Sequence, residues 1–236
     1  MNESPESAVI EAGRQQVRLE TEALADVLDQ IDERFVRVAS LLHSMTGKVV
    51  MTGSGTSGFI ARRSAHLFSV SGTPAFFLNP GDGLHGSMGA VEGDDVMIAL
   101  SKGGSSSELN DLVARVQDVG TRVVALTANA ESPLGRLADI TVEIRNYPSA
   151  DPGNLLAMGS TLAHSTYLDA LAVVLMRARA VSWERVHFTH PGGAVGLLAS
   201  LPDELDGLEI PPYVDDRSTD EPVAASAQTS SHRESA

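Results

Sequence analysis

Lys48-Val49-Val50-Met51-Thr52-Gly53-Ser54-Gly55-Thr56-Ser57-Gly58 decides how this chain is read. An apolar, strand-like run ends in a turn of glycine, serine and threonine, and helical spacing follows. A second stretch repeats the plan: Val96-Met97-Ile98-Ala99-Leu100-Ser101-Lys102-Gly103-Gly104-Ser105-Ser106-Ser107-Glu108. Glycines let the backbone approach a ligand closely, and exposed N–H groups at a helix start attract an anion. Hydroxyls add phosphate donors without placing charge in the pocket. Two such turns at neighbouring strand ends read as a cradle for one phosphorylated small molecule. The first turn contributes Ser54, Gly55, Thr56 and Ser57. The second contributes Ser101, Lys102, Gly103, Gly104, Ser105 and Ser106.

Strand-like runs lie at 48–52, 75–78, 96–100, 122–127 and 140–144. Helix-like runs lie between them, at about 58–69 and 107–116, with a short turn near 133–138 and a long helix at about 158–180. Alternating strands and helices predict an α/β parallel sheet covered on both faces. Ligands in such sheets bind outside the carboxyl ends of the strands, where both hydroxyl-rich turns fall. Upstream, Val17, Leu24, Leu28, Ile31, Phe35, Val38 and Leu42 form one apolar stripe and predict a helix over 17–42. That helix either packs on its own domain or crosses to a partner subunit. Residues 1–16 read as a flexible N-terminus and 17–212 as one domain. Residues 213–236, rich in Ser, Asp, Glu, Ala and Thr, read as a disordered acidic tail.

Composition narrows the function. The 236 residues are 42% hydrophobic, enough for one real core, and the formal net charge is −14. A phosphate backbone needs a basic surface, so nucleic acid is not expected as a partner. The chain has no cysteine, which excludes disulfides, thiol nucleophiles and cysteine metal sites. Met1-Asn2-Glu3-Ser4-Pro5-Glu6 lacks the basic and apolar regions of a signal peptide. No apolar run approaches the roughly 20 residues that span a bilayer. A cytoplasmic protein with no membrane partner is therefore expected. Gly53-x-Gly55-x-x-Gly58 matches a dinucleotide fingerprint superficially, but the second strand run ends in Asn79-Pro80 and no acidic residue stands there for a ribose. The hydroxyls between those glycines suit direct phosphate contact better.

These two turns, together with Thr189-His190-Pro191-Gly192-Gly193-Ala194-Val195-Gly196, resemble the sugar isomerase (SIS) domain family, and within it the arabinose-5-phosphate isomerase branch. Asn79-Pro80-Gly81-Asp82-Gly83-Leu84-His85-Gly86 resembles that branch's Pro-x-Glu-x-x-His-Gly pattern. The similarity covers roughly residues 17 to 200. The CBS pair that often follows in the family is not expected here, because the residues after the domain read as a tail. The resemblance implies a three-layer sandwich around a five-stranded parallel sheet, of flavodoxin-like type, with a phosphosugar ligand. It also implies aldose–ketose isomerisation through an enediol, with no cofactor and no metal, in a homodimer or homotetramer. His190 and His85 match family histidines and are the acid–base candidates, since histidine titrates near neutrality. Asp82 stands in for the Glu of the second pattern, one methylene shorter, and Glu108 opens a helix beside the second turn.

The chain also departs from the pattern. The family places a lysine where Thr56 stands and a glutamate at Ser105, Gly103 replaces a serine, and a further family glutamate falls near Ser149. Lys102 is expected to restore a positive charge beside the phosphate. His43, His66 and His164 lie in helical patterns and read as packing or surface residues. Three readings follow: an isomerase with an altered site, an isomerase for a different sugar phosphate, and a catalytically idle phosphosugar sensor. The retained histidines favour an enzyme, and the missing lysine and glutamate favour the sensor.

Overall fold

The computed structural model describes residues 4–215. Five parallel strands form one sheet: β1 (Val49–Gly53), β2 (Ala75–Leu78), β3 (Val96–Leu100), β4 (Arg122–Thr127) and β5 (Ile140–Glu143), in the order β2-β1-β3-β4-β5. Helices cover both faces, as continuous apolar strands require. The pleat divides the core in two. Val49, Met51, Ile98, Leu100, Val124 and Leu126 point to one face, against α2 (Glu33–Ser44), α3 (Gly55–Val70) and α7 (Gly159–Ala178). Val50, Met97, Ala99, Val123 and Ala125 point to the other, against α5 (Ser107–Asp118) and α6 (Pro133–Leu137). The short α4 (Pro80–Leu84) lies on α5, where a Cβ on Gly83 would stand 2.9 Å from Leu112 Cδ1.

The single helix expected over 17–42 is two helices. The first, α1 (Pro5–Asp26), starts twelve residues earlier than the apolar stripe indicates, so most of the segment read as flexible is helical. A 3-10 turn at Val27–Gln30 ends it, and Ile31 leaves helical geometry at ψ 84. Asp32 then caps α2, its carboxylate accepting from the N–H groups of Arg34 (2.8 Å) and Phe35 (3.4 Å). An N-cap aspartate restarts a helix in this way. The break shifts the phase of the stripe. Phe35, Val38 and Leu42 are buried, while Val17, Leu28 and Ile31 are exposed.

Two short helices, α8 (Trp183–Thr189) and α9 (Gly193–Gly196), follow α7, and α8 makes its main contacts with α9. An extended strap over 201–215 then runs back along the body. Asp203 and Glu204 accept hydrogen bonds from the Trp183 indole (3.0 Å) and backbone N–H (3.1 Å), and the Asp206 carbonyl accepts from Arg177 Nε (2.8 Å). Ile210 and Tyr213 pack on the core, and Asp215 pairs with Arg122 at the start of β4. The boundary expected at 212 thus falls inside a docked segment. Residues 216–236 of the expected tail lie outside the described residues. Among the described residues, no helix is long and apolar enough to cross a membrane.

Candidate functional site

The strand order reverses between β1 and β3, the position where open α/β sheets bind ligands. There Gly53 pairs in register with Leu100, so the two hydroxyl-rich turns leave the sheet side by side. Two glycines make their shapes possible. A Cβ on Gly58 would lie 2.6 Å from the Gly53 carbonyl oxygen, so only glycine lets α3 start so tightly on β1. Gly104 has φ +63, and a Cβ there would lie 2.0 Å from Ser132 Oγ.

The helices that leave these turns start without a side-chain cap. Ser54 precedes α3 and Ser106 precedes α5, and neither hydroxyl bonds the helix N–H groups behind it. Asp32, Asn79, Ser132 and Ser182 do cap their helices. The first N–H groups of α3 and α5 therefore lack a cap acceptor, as an anion site requires. Ser101 Oγ accepts from Gly104 N (3.1 Å), which closes the second turn and leaves the O–H as a donor. Ser105 Oγ instead donates to the Gly103 carbonyl (3.2 Å).

Lys102 is not free beside the cradle. Its Nζ donates to Asp151 Oδ2 (2.7 Å) and Asn154 Oδ1 (3.0 Å). Asp151 is wholly buried and also accepts from Ser160 N (3.1 Å) and Ser160 Oγ (2.6 Å). Burial pushes its carboxyl pKa up, but the bonds from Lys102 and Ser160 outweigh this and hold it below the usual carboxylate range. The pair pins the second turn to the 145–158 loop and to the start of α7. Sequence reading missed Asp151, although it is the lone carboxylate between Glu143 and Asp169 and falls two residues from Ser149.

One helical turn beyond Ser160, His164 is buried with neither ring nitrogen hydrogen-bonded. Burial lowers its pKa from 6.5 to about 4, against an opposing pull from Asp151. The unfolded chain thus takes up a proton that the folded chain refuses between those values. Stability from this group is complete above about pH 6.5 and falls as pH drops toward 4, by about 3 kcal/mol at most. His164→Leu should flatten that acid limb. Denaturation midpoints at pH 7 and pH 5 check it, and an unchanged pH slope would refute it.

Asp82 lies in the first turn of α4, His85 ends α4, and Glu108 lies in the first turn of α5. The helix α4 that carries the first two packs on α5, the helix that leaves the second turn. Among the described residues their side chains make no hydrogen bond, and all three are exposed. His190 ends α8, and its Nδ1 lies 2.8 Å from the Val186 carbonyl oxygen; α8 makes its main contacts with α9. A cleft of about 250 Å³ opens beside the first turn, lined by Gly53, Gly55, Gly58, Phe59, Arg62, Phe77 and Asn79. Another cavity, of about 260 Å³, lies at the far edge by β5, among Asp29, Asp32, Arg34, Glu143 and Arg145.

The model of the SIS domain matches residues 42–174, from the end of α2 through most of α7. The chain belongs to the SIS domain family. The SIS chain is 36% identical over 216 residues to arabinose 5-phosphate isomerase KdsD of Pseudomonas aeruginosa, covering 91% of this chain and 66% of the relative. It is 36% identical over 189 residues to arabinose 5-phosphate isomerase GutQ of Salmonella typhi, covering 80% of this chain and 59% of the relative. It therefore spans about three-fifths to two-thirds of the length of these curated relatives. Among solved structures, c3406 of E. coli CFT073, in complex with a sugar phosphate, superposes with TM-score 0.76 at 30% identity, covering 81% of this chain and all of that one. The SIS fold expected from the sequence, with its five-stranded parallel sheet, is the fold observed.

Proposed function

We propose that this chain is a phosphosugar aldose–ketose isomerase working through an enediol, on a small sugar phosphate such as arabinose 5-phosphate. The observation that carries the reading is the register pairing of Gly53 with Leu100, which sets two uncapped, hydroxyl-bearing helix starts side by side at the sheet's switch point. The family membership and the isomerase relatives support it.

In this reading a base takes the proton from C2 of the open-chain aldose. The C2–H electrons form the C1=C2 bond, and O1 accepts a proton, which gives the enediol. Loss of the O2 proton and protonation of C1 then give the ketose. His190, His85, Asp82 and Glu108 are the candidate acids and bases. His190 reaches a cradle across a subunit boundary in a dimer or tetramer. Exposed Phe188 and Leu197 on either side of its segment suit such a boundary. Light scattering should then give a mass above that of one chain at micromolar concentration, and a stable monomer would count against this arrangement.

Proton–deuterium exchange at C2 across a panel of sugar phosphates tests the activity. The sensor reading is favoured by Thr56 and Ser105, which stand where the family has a lysine and a glutamate. Tight binding with no exchange for any sugar would replace the enzyme reading with it. The cradle has its own test. Ser101→Ala with Ser106→Ala removes two donors to a charged group, each worth about 1.5–3 kcal/mol, so sugar phosphate affinity should fall at least tenfold. Calorimetry that finds the affinity unchanged would remove the phosphate from this turn.

A further inference from the structure

An anion bound at the switch point must be reconciled with a chain of formal net charge −14, and hydroxyls bring no positive charge to it. Neither of the two lysines is at liberty. Lys48 is held by Asp95 and Lys102 by Asp151, and both carboxylates are wholly buried. On α3, Arg63 is held by both oxygens of Asp169, at 2.7 and 2.9 Å. Its neighbour Arg62 has no carboxylate partner among the described residues. The Arg62 guanidinium lies 4.8 Å above the centre of the Phe77 ring. Helical side chains slope toward the helix N-terminus, and Arg62 stands one turn after Gly58 on the same face. The guanidinium therefore borders the cleft that Gly55 and Gly58 open beside the first turn. Phe59, on the same wall, is 75% exposed. Two of the chain's six phenylalanines thus line one small cleft around an uncommitted cation.

We propose that Arg62 supplies the positive charge of the ligand site: its guanidinium pairs with the phosphate held by the first turn, and Phe59 and Phe77 cover the ligand's C–H faces. The assignment rests on the phosphosugar reading above. With Phe77 beside it and no carboxylate partner among the described residues, the guanidinium keeps N–H donors for phosphate oxygens, and its planar fork can engage two of them, a geometry that a lysine would not reproduce.

The test titrates arabinose 5-phosphate, and separately inorganic phosphate, into the wild type, Arg62→Gln, Arg62→Lys and Arg136→Gln, at low and high salt. Arg62→Gln should raise both dissociation constants at least about tenfold and flatten their salt dependence. Arg62→Lys should recover part of the loss. Arg136→Gln removes a surface charge that is 71% exposed and should bind as the wild type does. Arg62 is itself exposed, and equal melting temperatures confirm that the variants are folded. If Arg62→Gln binds both probes like the wild type, Arg62 is not the anion's partner. If it weakens the sugar phosphate alone, the guanidinium touches sugar and the assignment falls. A wild type that isomerises beside an unaffected Arg62→Gln overturns this inference only. A wild type that binds neither probe overturns the phosphosugar reading with it.

Discussion

Asp151→Ala lowers stability by about 3–5 kcal/mol, because it strands the Lys102 ammonium in a site built around a buried carboxylate. The Lys102 side chain is only 22% exposed, so water replaces little of the lost partner, and Ser160 loses its acceptor as well. For a body of this size the melting temperature should fall by roughly 10 °C. The effect carries a pH signature. The folded-state pKa of Asp151 is depressed, so its contribution is present above the ordinary carboxylate range and is lost as pH falls through the depressed value. The gap between wild type and variant should therefore be widest near neutrality and close in strong acid. Lys102→Met with Asp151→Leu should cost much less, since an apolar pair leaves no charge uncompensated. Chemical denaturation at several pH values measures all of this. A loss below about 1 kcal/mol for Asp151→Ala would mean that the pair is solvated after all.

His190→Asn should lower turnover by about 10²–10⁴ while leaving sugar phosphate affinity almost unchanged, the signature of a lost acid or base. His85→Asn should cost less, as befits contact with a substrate hydroxyl or ring opening. Because His190 is anchored on a helix whose main contacts are with α9, it is expected to serve a neighbour's cradle. Mixing His190→Asn with the Ser101→Ala, Ser106→Ala double variant should then yield activity that neither has alone. Unchanged turnover in His190→Asn would end its candidacy, and failure of the mixture to complement would return it to its own subunit.

The sheet was legible because its strands are continuous apolar runs punctuated by glycine, and all five runs coincide with strands to within one residue at either end. Periodicity alone misjudged the segment before β1. Leu28 and Ile31 fit a stripe by spacing, but an aspartate one residue later makes a better cap than a helix interior, and tertiary packing took Phe35 and left Leu28 out. The turns could be read as ligand-binding from their glycines and hydroxyls. The role of Lys102 could not, because its partner lies 49 residues away and only the folded chain brings Asp151 to it. Arg62 was unremarked for the same reason. Nothing local distinguishes it from Arg63, and the difference is that one meets Asp169 and the other meets Phe77.

The docked strap bears on how the molecule can be handled. Its last described residue, Asp215, is fastened to Arg122 where β4 begins, whereas both turns leave from the strands' far ends. A chain cut after Asp215 and joined there to a fluorophore, a resin or a second protein would carry that cargo on the face opposite the ligand mouth. Immobilised in this way, the molecule would present its cradle outward to flowing solution, and a bulky fusion partner would not obstruct entry.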